Sequence, residues 1–178
     1  MKLFMFAIGG DFRNSNVELH DVRFAAGASE EACYPELHRQ WWGEPESLHL
    51  DAWGELAQAD GHDIILSATP APPGAAKLFF VNLGGYDAGE FGELHKNLLL
   101  VEPDAKAATA RALEAAKSWE QPHKDGVFEV DKALDLAADL ARHGLHLHLR
   151  PASSAWPFLF TCGYIPIGRM KETYPAGG

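Results

Sequence analysis

Glu18-Leu19-His20 and, 75 residues on, Glu93-Leu94-His95 each place a carboxylate and an imidazole two residues apart. On an extended strand that spacing puts both side chains on one face. Asp51 and Asp131 recur in the same way at an offset of 80. A histidine beside carboxylates can move a proton near neutral pH or hold a divalent metal. Glu18, His20, Asp51, Glu93, His95 and Asp131 are therefore the principal candidate polar cluster. The competing structural account has the histidines hydrogen-bonding their neighbours at a strand-to-loop junction and the aspartates capping the helices that follow.

Two further groups carry suitable side chains. His146 and His148 flank Leu147, so both imidazoles face one side of a strand and are weak metal candidates, with Glu129 or His143 as a third ligand. The first half has Ile64 to Leu66 there instead, which favours an ordinary solvated strand face. His123-Lys124-Asp125, in the loop opened by Gln121-Pro122, mixes acid, base and imidazole as binding loops often do, and fits a proline-fixed turn equally well. Gly9-Gly10 and Gly84-Gly85 lack the spacing of a nucleotide loop and read as tight turns. Trp41, Trp42, Trp53, Trp119 and Trp156 read as packing residues. No motif specifies a cofactor or a complete catalytic set.

The elements that must position these residues come from a repeat. Residues 2 to 20 match residues 77 to 95 at eight of nineteen ungapped positions, beginning with Lys2-Leu3-Phe4 against Lys77-Leu78-Phe79. The pattern predicts an α+β fold of two tandem pseudo-symmetric β-β-α-β-α-β copies, with mixed sheets packed against helices. Copy 1 spans residues 1–68, a Pro/Gly linker 69–76, copy 2 residues 77–150, and a strand-like extension and tail 151–178. Strands are expected at 3–8, 17–26, 48–51 and 63–67, and at 78–83, 94–101, 127–131 and 145–150. In copy 1 the first helix has Ser29 as N-cap and Pro35 at a kink or at the start of its main part; in copy 2 it runs from Pro103 toward Trp119. The second helices are expected at 53–59 and 131–142.

Composition limits the partners. With 25 acidic against 15 basic residues the formal charge is −10, which argues against nucleic acid or an anionic membrane as a main partner. Apolar runs are too short for a membrane helix. Cys33 and Cys162 are too few for a disulfide framework, and both thiols are expected buried in a cytoplasmic protein. Whether the chain forms a homodimer is left open by the sequence.

Val17 to Phe24, Tyr34-Pro35, Gln40-Trp41-Trp42-Gly43, Leu48-His49-Leu50-Asp51 and Asp60-Gly61, with Phe80 to Tyr86, Gln121 to Asp125 and Tyr164 to Ile167, resemble a bacterial family named domain of unknown function 1543. The resemblance implies that the duplication is a family feature and carries no activity onto any residue. Two functions are thus expected from different classes. The leading expectation is a non-enzymatic cytosolic ligand- or protein-binding module built on the duplication. The alternative is a His/carboxylate-dependent hydrolase-type enzyme in which those groups act as acid, base or metal ligands.

Overall fold

The computed structural model describes residues 1–86, 89–116 and 129–168, and for 129–131 the backbone alone. The elements run β1 (Lys2–Gly10), β2 (Leu19–Gly27), α1 (Tyr34–Gln40), β3 (His49–Glu55), β4 (Gln58–Ala59), β5 (His62–Ser67), β6 (Lys77–Tyr86), β7 (Glu93–Glu102), α2 (Ala105–Ala116), β8 (Glu129–Asp135), α3 (Leu136–Ala141), β9 (His146–Pro151) and β10 (Thr161–Pro166). The fold is α+β. The expectation of mixed sheets resolves into antiparallel pairing at every ladder among the described residues. No helix among them is long and apolar enough to cross a membrane.

The chain divides into two compact units, 1–57 with 156–178, and 58–155. Unit 1 holds one sheet in the order β10-β3-β1-β2. Alternation along β1 buries Phe4, Phe6 and Ile8 against Tyr34, Leu37 and Trp41 from the helical segment and Leu48, Leu50 and Ile167. Pro35 opens α1 within its first two positions, where its missing amide costs nothing, and a 3-10 turn at Glu31–Cys33 precedes it. Ser29 is not the N-cap: Cys33 holds that position, with no capping side-chain hydrogen bond.

Unit 2 holds the order β7-β6-β8 and a second sheet β4-β5-β9. Phe79, Val81, Leu83 and Leu100 pack on Ala108, Ala112 and Ala116, an alanine stripe that lets α2 lie close to the strands. Asp60 anchors the β4–β5 hairpin: its carboxylate takes the Val101 amide at 2.7 Å and both terminal nitrogens of Arg111 at 2.6 Å. Burial pushes the Asp60 carboxyl upward, but the Arg111 and Val101 hydrogen bonds outweigh it and hold the group below its usual range.

Several expectations are corrected. Residues 53–59 form no helix: β3 runs through Glu55 and β4 follows. Two causes act there. Gly54 lies so close under the Leu159 carbonyl that a side chain would collide with it. Asp60 and Gly61, at φ 49° and 72°, make a two-residue hairpin turn between Ala59 and His62. In the second half the helix starts at Leu136 rather than at 131, and Asp135, not Asp131, caps it by accepting the Ala138 amide. Gly9-Gly10 and Gly84-Gly85 continue their strands and do not turn them. Trp41 is buried and Trp53 packs against the core, whereas Trp42 and Trp156 are exposed. Cys33 is buried and Cys162 is exposed, because β10 is an edge strand.

Candidate metal centre

The site lies in unit 1, on the face of the sheet opposite the α1 core. Gly9 pairs with His20 of β2 on one side and with His49 of β3 on the other, so both imidazoles share its face. Asp51 joins them through a bulge. The β1–β3 ladder passes from Ala7↔Ala52 to Ile8↔Leu50, and the β10–β3 ladder from Cys162↔Ala52 to Ile165↔Leu50, so Asp51 is skipped by both neighbours. A bulge re-aims the residue it releases, and here that residue is a carboxylate. Gly163 and Tyr164 are the residues left over on β10. The Tyr164 ring lies 4.4 Å from the His49 ring, centroid to centroid.

Four polar side chains converge. His20 Nε2 is 3.5 Å from Asp51 Oδ2 and 3.9 Å from Glu18 Oε2; His49 Nε2 is 3.5 Å from Asp51 Oδ1 and 3.8 Å from Glu18 Oε2. Ligand atoms of Glu18, His20 and His49 all fall within 4.8 Å of one another. Gly9 forms the floor: a Cβ there would stand 2.7 Å from His49 Nε2, 2.9 Å from His20 Cδ2 and 3.0 Å from Asp51 Oδ2.

His49 is the decisive member. It is 1% exposed, and its Nδ1–H donates to the Ser47 carbonyl at 2.9 Å. A carbonyl only accepts, so a proton sits on Nδ1, and Nε2 is the ring atom that faces the cluster. Neither His49 Nε2 nor Asp51 Oδ2 has a hydrogen-bond partner, and both atoms are buried. A buried ring nitrogen and two carboxylates facing one another are electrostatically satisfied only with a cation or a proton among them. Ser47 supports the arrangement from behind, its hydroxyl accepting the Asp11 amide and donating to the Glu44 carbonyl, both at 2.8 Å. A carbonyl fixing the ligand's tautomer is a common outer support of metal-binding histidines.

Of the first-half candidates, the structure brings Glu18, His20 and Asp51 together. His49 was missed, although Leu48-His49-Leu50-Asp51 stood in the sequence with an imidazole two residues from the aspartate. A search for residues common to both halves discards it, because register places Glu129 where His49 stands: Gly84 pairs with His95 and with Glu129, and Asp131 falls at the skipped position between Val130 and Lys132. His95 Nε2 is 3.9 Å from Glu93 Oε2, and its Nδ1 is 3.2 Å from Asn82 Oδ1. The side chain of Asp131 lies outside the described residues, as do His123, Lys124 and Asp125. His148 Nε2 donates to the Thr69 carbonyl at 2.7 Å, which ties β9 to the segment after β5. Neither His146 nor His148 joins a metal-ligating group among the described residues.

Comparison with known proteins agrees with the sequence resemblance. The crystal structure of protein Il1583 from Idiomarina loihiensis is 27% identical to this chain, with a TM-score of 0.63 over 93% of this chain and 97% of that one. No curated protein matches. The model of the Domain of Unknown Function family DUF1543 matches residues 15–66, a segment that contains Glu18, His20, His49 and Asp51. Over that segment, this chain is a match to the DUF1543 family.

Proposed function

We propose that this chain is a divalent-metal protein whose ion is held in unit 1 by His20, His49 and Glu18, with Asp51 beside them. The observation that carries the reading is the buried, unpartnered Nε2 of His49, pointing at two carboxylates across the Gly9 floor. Two imidazoles and carboxylates, with no thiolate, suit zinc or ferrous iron better than calcium or copper(I). The side chains of Glu18 and His20 are 46% and 57% exposed, which leaves the ion a solvent-facing position. Structural zinc sites are closed on all sides, whereas catalytic ones keep such a position for water or substrate. Of the two expected functions, this supports the alternative, hydrolase-type one, in its metal-assisted form, over the leading non-enzymatic module.

The duplication belongs to the same proposal. It is supported by the recurrence of Lys-Leu-Phe and Glu-Leu-His, and by the matching register around Gly9 and Gly84. On this reading the first copy diverged by placing a histidine where the second has Glu129.

The test is metal uptake by metal-free protein. His49→Ala and Asp51→Asn are expected to lower the Zn²⁺ bound per chain by one ion while the circular dichroism of the fold is retained. Uptake by His49→Ala equal to that of the wild type refutes the assignment.

A further inference from the structure

Resting on that ion site, we infer that Tyr164 contacts whatever binds the ion's open position, and that this co-ligand is a small oxygen chelator of the carboxylate or hydroxamate class. Three observations support the inference. The Tyr164 ring lies against His49, which is itself 1% exposed, yet Tyr164 is 66% exposed and so is reachable from solvent beside the site. Its position depends on the same irregularity that releases Asp51, since Gly163 and Tyr164 are the residues left over opposite Asp51 where β10 leaves register with β3. One irregularity in the β10–β3 ladder therefore releases both a candidate ligand and the tyrosine whose ring lies on His49. The charges also favour such a co-ligand. Two carboxylates balance a divalent ion, so an incoming oxygen anion meets a nearly neutral centre, and a phenol donor adds a favourable hydrogen bond for an oxygen acceptor.

The experiment uses the full chain loaded with Co²⁺, whose visible bands report both ion binding and changes in its ligands, and acetohydroxamate as the probe. Wild-type protein is expected to develop Co²⁺ bands that shift on addition of acetohydroxamate. Tyr164→Phe should keep the bands and the Co²⁺ affinity but weaken acetohydroxamate about five- to tenfold, the loss expected from one hydrogen bond. Tyr164→Ala should weaken it at least as much. His49→Ala should abolish the bands. Acetohydroxamate binding equally tightly to wild type and Tyr164→Phe, or not at all to Co²⁺-loaded wild type, overturns the role of Tyr164 and leaves the ion site standing. Absence of Co²⁺ bands in the wild type overturns the ion site and this inference with it.

Discussion

Gly9→Ala is the sharpest perturbation of the proposed centre, because it removes no ligand. The added methyl would lie 2.7, 2.9 and 3.0 Å from His49 Nε2, His20 Cδ2 and Asp51 Oδ2, where ordinary contact begins at 3.4 Å. Relieving all three contacts requires shifts of about 0.4 to 0.7 Å in groups that must stay within about 0.5 Å to work together. Misplacement on the scale of about 1 Å costs on the order of 100-fold at precise sites, and 100-fold corresponds to about 2.7 kcal/mol. The fold should tolerate the change, since alanine is intrinsically better than glycine inside a strand by about 0.5–1 kcal/mol. With Zn²⁺ at 100 times the wild-type Kd, the wild type should gain about 2.7 kcal/mol and the variant about 0.4 kcal/mol. For a chain of this size those gains raise Tm by about 5–10 °C and about 1 °C respectively. Competition against a chromophoric chelator measures the affinity directly, and thermal denaturation with and without Zn²⁺ measures the linkage. Wild-type Zn²⁺ affinity in Gly9→Ala would refute the argument that the ion sits over this glycine.

Three predictions concern the framework. Asp60→Asn should destabilise unit 2 by about 2 kcal/mol, the scale of hydrogen bonds to charged groups, as read by urea denaturation. Because the folded Asp60 carboxyl lies below its ordinary value of 3.8, its contribution is present above that pH and lost as pH falls through the folded value. Wild type and variant should thus converge in stability as pH falls through the folded value, below 3.8; a gap that persists down to full protonation counts against the ion pair. Asp135→Ala removes the cap of α3 and the 2.7 Å partner of Lys77, at a cost of about 1 kcal/mol by denaturant titration. An unchanged midpoint would show that the cap is dispensable. Burial, with the Glu30 carboxylate adding to it, pushes the Cys33 thiol up to about 11, so a thiol reagent at pH 8 should label Cys162 promptly and Cys33 only after unfolding. Prompt labelling of both would contradict the buried placement.

Much of the fold could be read from periodicity. The apolar runs of β1 and β6 and their return strands were legible because alternation and paired residues reinforced each other. The segment 53–59 was not. Its Trp53-Gly54-Glu55-Leu56 has no helical cap, and Asp60-Gly61 downstream is a hairpin signal, but the symmetry of the repeat argued for a helix. The actual determinant, the Leu159 carbonyl lying over Gly54, comes from more than 100 residues away and leaves no local trace. Glu18 and His20 were legible from spacing on a strand. Asp51 was recognised as a candidate but given the wrong local setting, since a bulge depends on which strands lie beside it. Tyr164 could not be placed at all until β10 was known to pair with β3. His49 carried a signal, its two-residue step to Asp51, that the demand for identity between halves suppressed.

The order β10-β3-β1-β2 has a consequence for synthesis. The sheet of unit 1 is built from strands between Lys2 and Glu55 and is completed by residues 161–166, while unit 2 is made in between. The β3 edge of that sheet, made before unit 2, stays bare until β10 emerges. Glu18, His20, His49 and Asp51 are all present by residue 51, but Tyr164, whose ring lies on His49, arrives more than 100 residues later. A chain stalled before residue 161 therefore carries an open strand edge and a His49 without its aromatic neighbour.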